Sequence, residues 1–413
     1  FRCNCFLGEC KLIEVKYLVK VDPNANNSKY YKMIPNGSSF KVEYGRLGND
    51  RFQSTSYPIN LWDKKYKEKI KKGYEDKSEL IQELVQDITP EEDSPYLPIP
   101  NKIIQEIVER LQKYANDEIS KQYQVSSHQV TNTMISEAQE LIDSLGKFSD
   151  SIEDFNNALV ELFKVIPRKM RTVKENLAET KEDIPKIYQR EQDLLDIMKG
   201  QVVQIDKQKE KKQKKEKCKQ NILEAMGLEV EEVTEDDIQI IKQELGEISN
   251  RFYDAWRVTN KKTQEVFDNY MKTVQDKTTK LLFHGSRSEN WWSIINSGLV
   301  LRPNAVVTGK MFGSGIYFAP KAKKSLGYTS LDGSYWANGN NDCGFMAIFE
   351  IHYGVPYETY SSYDFGYNFG YGDLKRLGNY DCVHAKAGSS LRNDEIIIYQ
   401  ECQCTIKYLI ELR

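Results

Sequence analysis

Apolar and polar residues alternate strictly near the start of the chain. The apolar positions are Ile13, Val15, Tyr17, Val19 and Val21. Because successive side chains of a strand point to opposite faces, this pattern predicts a half-buried strand over 13–21. Turn-forming residues follow, and then two further β patterns at 29–34 and 39–44 and a helical pattern at 59–72. The sequence therefore predicts a small β-rich domain over residues 1–85 and a linker over 86–100 that is rich in proline and acidic residues.

From residue 101 the apolar spacing changes to the three-and-four repeat of a helix. Four stretches place their apolar side chains on one helical face: 103–111, 134–145, 155–163 and 187–198. Gly146, Pro167 and Gly200 are predicted to end the last three helices. Each apolar face needs a partner, so residues 101–202 are predicted to form a helical bundle.

The C-terminal region, 222–413, again has strand-like patterns. They lie at 281–283, 315–318, 345–351, 395–399 and 405–412, separated by turns. The connecting segment, 203–221, includes eight lysines and two glutamates between residues 207 and 219. A nuclear-localisation signal, a nucleic-acid patch and a solvated linker all fit this composition, and we favour the linker.

Net charge, hydropathy and cysteine spacing indicate which kinds of partner the chain can bind. The 413 residues carry 58 Lys and Arg against 61 Asp and Glu, so any attraction to nucleic acid must be local. No stretch of about 18 apolar residues exists, and the first residues do not resemble a signal peptide. We expect an intracellular protein without membrane contact. Cys3, Cys5 and Cys10 lack a fourth zinc ligand at ordinary spacing, so we predict reduced thiols and no metal.

Three of the C-terminal β patterns each present one polar residue: His284, Tyr317 and Glu395. We expect their strands to lie in one sheet. Cleavage of an N-glycosidic bond passes through an oxocarbenium-like sugar, which a carboxylate such as Glu395 stabilises. An imidazole can hydrogen-bond a ribose hydroxyl, and aromatic faces stack on a flat heterocycle. The three residue types together suit a nicotinamide riboside unit.

The motifs around these residues resemble the catalytic signature of the poly(ADP-ribose) polymerase family. They are His284-Gly285-Ser286, the run from Gly313 to Phe318, Lys324-Ser325 with Tyr328, and Asn393-Asp394-Glu395. The resemblance implies a catalytic triad of His284, Tyr317 and Glu395. It further implies that NAD is the substrate. Gly285 and Ser325 would then hold the carboxamide, and Tyr317 and Tyr328 would stack on the nicotinamide ring. His284 and Ser286 would bind the adenosine-side ribose.

The resemblance extends upstream. Phe40 to Gly48 and the segment from Trp62 to Tyr74 are similar to the family's Trp-Gly-Arg (WGR) domain, with Tyr44 in place of the tryptophan. Leu97 to about Gly200 resembles its helical regulatory domain, which implies autoinhibition. The implied fold is α+β and multidomain, with a small WGR-like domain, an all-α regulatory bundle and an ADP-ribosyltransferase domain with a split antiparallel sheet.

Two positions depart from the polymer-forming members of the family. Lys310 stands where they carry an aromatic residue, and Ser314 stands where they carry a lysine. Chain formation and single transfer therefore both remain open. Gly313 and Gly315 could suggest a phosphate loop, but we interpret them as a tight turn that leads into Tyr317.

The expected function is transfer of ADP-ribose from NAD to protein acceptors, including the chain itself. Activation by DNA through the WGR-like domain is open, because Tyr44 and Arg46 also fit a packed tyrosine and a surface ion pair. The nucleus is the location that the family implies, with the cytoplasm or cytoskeleton as alternatives. The alternative function is an inactive scaffold that docks to a partner or filament. His128, His352 and His384 belong to no recognisable cluster and are interpreted as structural.

Overall fold

A computed structural model describes most of the chain. The described residues are 13–23, 26–47, 51–78, 96–123, 125, 127, 130–148, 151–213, 220–301, 311–335, 337–363, 365–366 and 368–413, and the side chains of 27 and 206–213 are not described. Cys3, Cys5, Cys10, His128 and Lys310, and most of the predicted linker 86–100, lie outside these ranges. Within them, no helix is both long and apolar enough to cross a membrane.

The N-terminal β domain is one antiparallel sheet with a helix against it. Its strands are β1 (Lys16–Asp22), β2 (Asn27–Asn36), β3 (Ser39–Arg46), β4 (Gln53–Pro58) and β5 (Glu75–Asp76), in the order β4-β3-β2-β1-β5. The helix is α1 (Trp62–Lys71). Leu18, Met33 and Phe40 are fully buried on the covered face, and Trp62 packs edge-on against Phe40. The β1 residue in this core is Leu18, which is not one of the alternating apolar positions, and Val19 on the opposite face is fully buried as well. The prediction of a half-buried strand is therefore wrong, because β1 is covered on both faces.

Four helices follow: α2 (Lys102–Gln122), α3 (Asn132–Leu145), α4 (Ile152–Val165) and α5 (Asp183–Gln213). The side chains of Asn101, Thr131 and Ser151 accept hydrogen bonds from backbone N–H groups in the first turns of α2, α3 and α4. Their apolar faces share one core, with Leu111, Ala138 and Phe155 buried. The predicted bundle is therefore present.

The predicted end of the fourth helix at Gly200 is wrong. Helix α5 continues through Gly200 to Gln213, and so it enters the lysine-rich segment. A Cβ atom on Gly200 would lie 3.1 Å from both Cα and Cβ of Ser293. This glycine therefore serves close packing against the C-terminal region and does not end the helix.

The C-terminal region contains two sheets, six α-helices and three 3-10 helices within its described residues. The α-helices are α6 (Ile222–Met226), α7 (Glu235–Leu245), α8 (Lys261–Thr273), α9 (Trp291–Ser297), α10 (Ala322–Leu326) and α11 (Tyr371–Leu377), and the 3-10 helices are Gly246–Arg251, Ser288–Asn290 and Glu401–Gln403. The first sheet, antiparallel, has the order β6-β7-β14-β10-β8 and consists of β6 (Leu228–Glu232), β7 (Phe252–Asn260), β8 (Thr279–Ser286), β10 (Gly344–His352) and β14 (Cys404–Leu412).

The second sheet has the order β11-β12-β13-β9. Its strands are β9 (Ile316–Phe318), β11 (Pro356–Thr359), β12 (Cys382–Ala385) and β13 (Glu395–Ile398). Strands β11 and β12 are parallel, whereas the other two pairs are antiparallel. The expectation of a split, mainly antiparallel arrangement is confirmed, and the α+β multidomain fold class with it.

Polar contacts connect the three regions. Lys164 Nζ on α4 lies 2.5 Å from Glu75 of the β domain, and Arg46 donates to the carbonyl of Arg171 at 3.1 Å. On the other side of the bundle, Arg110 lies 2.9 Å from the fully buried Glu411. The helical region is thus in contact with both neighbours.

A buried charge pair lies inside the helical region. Glu191 on α5 approaches Arg168 Nε to 3.6 Å and Arg190 to 2.9 Å, and both Arg168 and Glu191 are buried. The Arg168 guanidinium also stacks on the Tyr123 ring, 4.7 Å from its centroid. Removing Glu191 would leave the Arg168 charge buried without its counter-ion, which is costly in a low-dielectric interior.

We therefore expect Glu191→Ala to lower the free energy of unfolding of the full chain by about 3 to 5 kcal/mol, measured by urea denaturation. The double variant Arg168→Met/Glu191→Leu should lose much less, because no buried charge remains. Glu106→Ala, at an exposed position of α2, is the control and should change stability by less than about 0.5 kcal/mol. A Glu191→Ala protein as stable as the control would contradict this account.

Candidate active site

The three candidate residues lie on strands from two different sheets. His284 is on β8, whereas Tyr317 and Glu395 are on β9 and β13 of the second sheet. The expectation of a single sheet is therefore wrong in detail. The sheets meet where Phe283 and Ala319 exchange two backbone hydrogen bonds of 2.9 Å each. This bridge brings His284 beside Tyr317, and the pairing of β9 with β13 brings Glu395 to the same place.

His284 is held through its backbone-facing nitrogen. Its Nδ1–H donates to the carbonyl of Tyr317 at 3.0 Å, and Phe318 and Phe349 pack edge-on against the ring. Burial lowers the pKa of His284, although the hydrogen bond to Tyr317 works in the opposite direction. The imidazole is thus a neutral ring with the proton on Nδ1, and its Nε2 can accept a hydrogen bond from a hydroxyl group.

Gly285 and Ser325 are in extremely close backbone contact. A Cβ atom on Gly285 would lie 2.0 Å from the carbonyl oxygen of Ser325, so no other residue fits here. Ser325 is buried on α10, and its carbonyl accepts the Tyr328 N–H at 3.1 Å. The contact places the exposed backbone edge of β8 next to a serine side chain, an arrangement suited to a flat carboxamide.

Tyr317 is anchored by its hydroxyl group. The hydroxyl donates to the Gly313 carbonyl at 2.8 Å and accepts from the Phe312 N–H at 3.0 Å. Burial raises the pKa of Tyr317 well above its ordinary value, so the hydroxyl stays protonated. The bonds fix the ring against the turn that precedes β9.

This turn is the structure that Gly313 and Gly315 were expected to form. Gly313 has a φ of +83°, which favours glycine, and the N–H of Ser314 donates to the Phe369 carbonyl at 2.8 Å. The N–H of Gly315 donates to Gly313 at 3.0 Å. Because these N–H groups already have acceptors within the chain, the phosphate-loop interpretation is not supported.

Tyr328 and Ser286 complete the predicted set. Tyr328 exposes 40% of its surface, and burial together with the negative charge of Glu395 raises its pKa to about 12. Its ring is thus partly open to a ligand and stays uncharged. The Ser286 hydroxyl accepts from Asn290 Nδ2 at 2.9 Å, on the chain that leaves the end of β8.

A residue to which the sequence assigned no role pairs with Glu395. Lys324 Nζ lies 2.5 Å from Glu395 Oε1 and also donates to the Asn393 carbonyl at 3.2 Å. Glu395 is 9% exposed, so the pair is shielded from water on most sides. The sequence could have pointed to Lys324 through its position directly before Ser325, because a residue next to a binding serine lies at the rim of the same site.

One of the other histidines, His384, was interpreted as lying outside any cluster, and this interpretation is wrong. His384 does belong to a cluster, since its ring nitrogens contact Asp394 and Tyr353. His352 is buried and bonds Tyr270 and the Asp276 carbonyl, as expected for a structural residue. In the part of the chain that the structure describes, no group of three or more His, Cys, Asp and Glu residues is arranged to hold a metal ion.

Two family models match parts of this chain. The model of the poly(ADP-ribose) polymerase catalytic domain matches residues 229–360, and that of the WGR domain matches residues 14–80. The first match includes His284, Tyr317, Ser325 and Tyr328 and ends before Glu395.

Several proteins are similar to this chain. A putative poly [ADP-ribose] polymerase-like protein, 100L, from Invertebrate iridescent virus 6 is 35% identical over 190 residues, which are 45% of this chain and 98% of the relative. The uncharacterized protein 101L of the same virus is 33% identical over 196 residues, 47% of this chain and 77% of the relative. Poly [ADP-ribose] polymerase 2 of Arabidopsis thaliana is 39% identical over 99 residues, 24% of this chain and 15% of the relative. The chain belongs to the poly(ADP-ribose) polymerase family.

Proposed function

We propose that this chain is an NAD-dependent ADP-ribosyltransferase that modifies protein acceptors, itself among them, and releases nicotinamide. The observation that carries the proposal is the buried Glu395, which is oriented by Lys324 and lies on the strand paired with that of Tyr317. A shielded carboxylate beside aromatic rings and a glycine–serine backbone contact suits the glycosidic bond of a nicotinamide riboside.

The nicotinamide end of NAD would bind between β8 and α10. The backbone of Gly285 and the hydroxyl of Ser325 would hydrogen-bond its carboxamide, and the rings of Tyr317 and Tyr328 would stack on the pyridinium. The Nε2 atom of His284 would accept a hydrogen bond from the adenosine-side ribose. These contacts orient the substrate before the reaction begins.

The reaction breaks the bond between the anomeric carbon and the nicotinamide nitrogen, and nicotinamide leaves with the bonding electron pair. The Glu395 carboxylate would stabilise the positive charge that develops on the ribose and would polarise the acceptor. An acceptor oxygen then forms the new bond to the anomeric carbon, and a hydroxyl acceptor passes its proton toward Glu395 or water. Lys324 keeps the carboxylate in one orientation before the substrate arrives.

The helical region would restrain the site through α9. Directly after the site strand β8, the 3-10 turn Ser288–Asn290 and α9 lie under α2 and α5. Ser293 donates to the Asp196 carbonyl at 2.8 Å, and Trp292 donates to Gln204 at 3.1 Å. A shift of α5 would therefore be transmitted to the end of β8, where the adenosine side of NAD would bind.

The β domain would bind nucleic acid through a cationic and aromatic surface. A depression of about 430 Å³ is lined by Lys29, Tyr30, Tyr44, Gly45, Arg46, Arg51, Gln53 and Tyr74. Cationic side chains bind phosphates, and aromatic rings stack on unpaired bases, so the surface suits the end of a nucleic acid. Arg46 also reaches the carbonyl of Arg171 in the helical region, which gives this surface a direct connection to the proposed restraint.

Glu395→Gln should reduce nicotinamide release from NAD by at least about 100-fold, because the neutral amide no longer stabilises the oxocarbenium ion. Glu247→Gln is the matched control, since Glu247 also pairs with a lysine of α10, Lys323 at 2.8 Å, but on the surface.

Labelled NAD separates the outcomes on a gel: a ladder indicates chains and one discrete adduct indicates single transfer. No label on the wild-type chain at saturating NAD would favour the scaffold instead.

Gly200→Val should raise turnover in the absence of nucleic acid by about five-fold or more. The added side chain would collide with Ser293 and push α5 away from α9. Lys199→Val, at the exposed neighbouring position, should leave basal turnover unchanged. Both are measured by nicotinamide release from the full chain, and a folded Gly200→Val protein with wild-type turnover would contradict the proposed restraint.

Lys29→Gln should weaken binding of a nicked duplex and lower the slope of log affinity against log salt by about one unit, because one phosphate contact is lost. Fluorescence anisotropy at several salt concentrations measures both effects, and nicotinamide release with and without the duplex measures activation. Lys113→Gln, at an exposed position of α2, is the charge-matched control. Identical salt slopes for the two variants would exclude Lys29 from the binding surface.

A further inference from the structure

The face of the second sheet that is opposite Glu395 carries a hydrogen-bonded cluster. In the pairing of β12 with β13, Ala385 is opposite Glu395 and His384 is opposite Ile396. Because side chains alternate along a strand, Asp394 and Ile396 project away from the face on which Glu395 lies. His384 is on the same side as Asp394, diagonally across the strand pair. The cluster therefore lies behind the reaction site.

The imidazole of His384 contacts two partners. Its Nε2 lies 2.9 Å from Asp394 Oδ2, and its Nδ1 lies 2.8 Å from the hydroxyl of Tyr353. A carboxylate can only accept, so Nε2 carries a proton and donates to Asp394, and Nδ1 is hydrogen-bonded to the Tyr353 hydroxyl. Each ring nitrogen thus has a partner.

Asp394 closes the connection between the two strands. Its second oxygen, Oδ1, accepts the backbone N–H of Ala387 at 2.9 Å. The residue before β13 is thus bonded both to β12 and to the segment that follows β12. Burial alone would raise the pKa of Asp394, but the hydrogen bonds from Ala387 and His384 outweigh it and lower the pKa. The side chain is thus ionised and acts only as an acceptor.

Charged groups surround the cluster. Glu358 on β11 lies 3.7 Å from His384 Nδ1 and is paired with Lys386 at 2.8 Å. Lys280 Nζ lies 3.5 Å from the centroid of the Tyr353 ring. Burial raises the pKa of Tyr353 to about 12, so its hydroxyl stays protonated.

Three consecutive residues at the start of β13 are therefore anchored. Lys324 binds the Asn393 carbonyl and the Glu395 carboxylate from the front of the sheet. His384 binds Asp394 from the back. Without the His384 contact, the Asp394 side chain would keep only its bond to the Ala387 N–H, which lies within the same connection.

We propose that His384 and Asp394 are positioning residues that hold Glu395 in its reactive orientation. This inference rests on the proposed function. Neither residue touches the substrate, and both act through the backbone at the start of β13. A small displacement of a catalytic group lowers the rate of the chemical step more than it lowers substrate binding.

Two substitutions of His384 separate its two hydrogen bonds. The amide of glutamine reaches approximately the position of Nε2 and can still donate to Asp394, whereas the shorter asparagine reaches only that of Nδ1. We expect His384→Asn to lower kcat for nicotinamide release by about ten-fold, with the KM for NAD changed by less than about two-fold. His384→Gln should retain at least about half of the wild-type kcat, since the bond to Asp394 persists.

His352 provides the matched control for general destabilisation. It is a buried histidine that, like His384, has a tyrosine hydroxyl on Nδ1, Tyr270 at 3.0 Å, but it lies on β10 in the other sheet. His352→Asn should lower the melting temperature without lowering kcat. Equal kcat losses in His384→Asn and His384→Gln, no loss in either, or an equal loss in His352→Asn would overturn the proposal.

Hydrogen–deuterium exchange of the peptide covering 386–397 tests the same idea without turnover. His384→Asn should accelerate exchange in this peptide and His384→Gln should not. If the wild-type chain releases no nicotinamide, the proposed function has failed, but the exchange experiment still tests the positioning role. Identical exchange in the two variants would overturn it.

Discussion

The site depends on one backbone bridge between two sheets. Phe283 and Ala319 exchange two hydrogen bonds, and these bonds connect β8 to β9. His284 and Gly285 belong to one sheet and Tyr317 and Glu395 to the other, and the bridge holds the two strands beside each other. Backbone hydrogen bonds are directional and, when buried, costly to leave unmade, so the bridge sets the spacing of the site more rigidly than side-chain packing alone.

Around this bridge, the site is supported by groups that do not themselves face a substrate. The carbonyl of Tyr317 orients His284, the carbonyl of Gly313 orients the Tyr317 ring, and Lys324 orients Glu395. Each supporting contact satisfies a polar atom and fixes a rotamer at the same time. An arrangement that is already in place before the substrate binds avoids the cost of ordering these side chains during the reaction.

The three regions form a continuous series of contacts from the cationic surface of the β domain to the end of β8. Arg46 and Glu75 contact the helical region, and α5 in turn contacts α9 closely because Gly200 has no side chain. This continuity of contacts is the physical route for the proposed effect of binding at the β domain on the site.

Local pattern determined most of the elements, because the three-and-four spacing in α2 to α4 is set by which side chains must be buried. The alternation in β1 located a strand but did not identify its core residue, Leu18. Family motifs in the sequence also named His284, Tyr317 and Glu395. Only the tertiary structure decided that these residues come from two sheets, that α5 passes through Gly200, and that Lys324 and His384 contact the acidic residues around the site. The physical reason is range: burial periodicity is a property of neighbouring residues, whereas a close glycine contact or an ion pair between residues 71 positions apart depends on how whole elements pack.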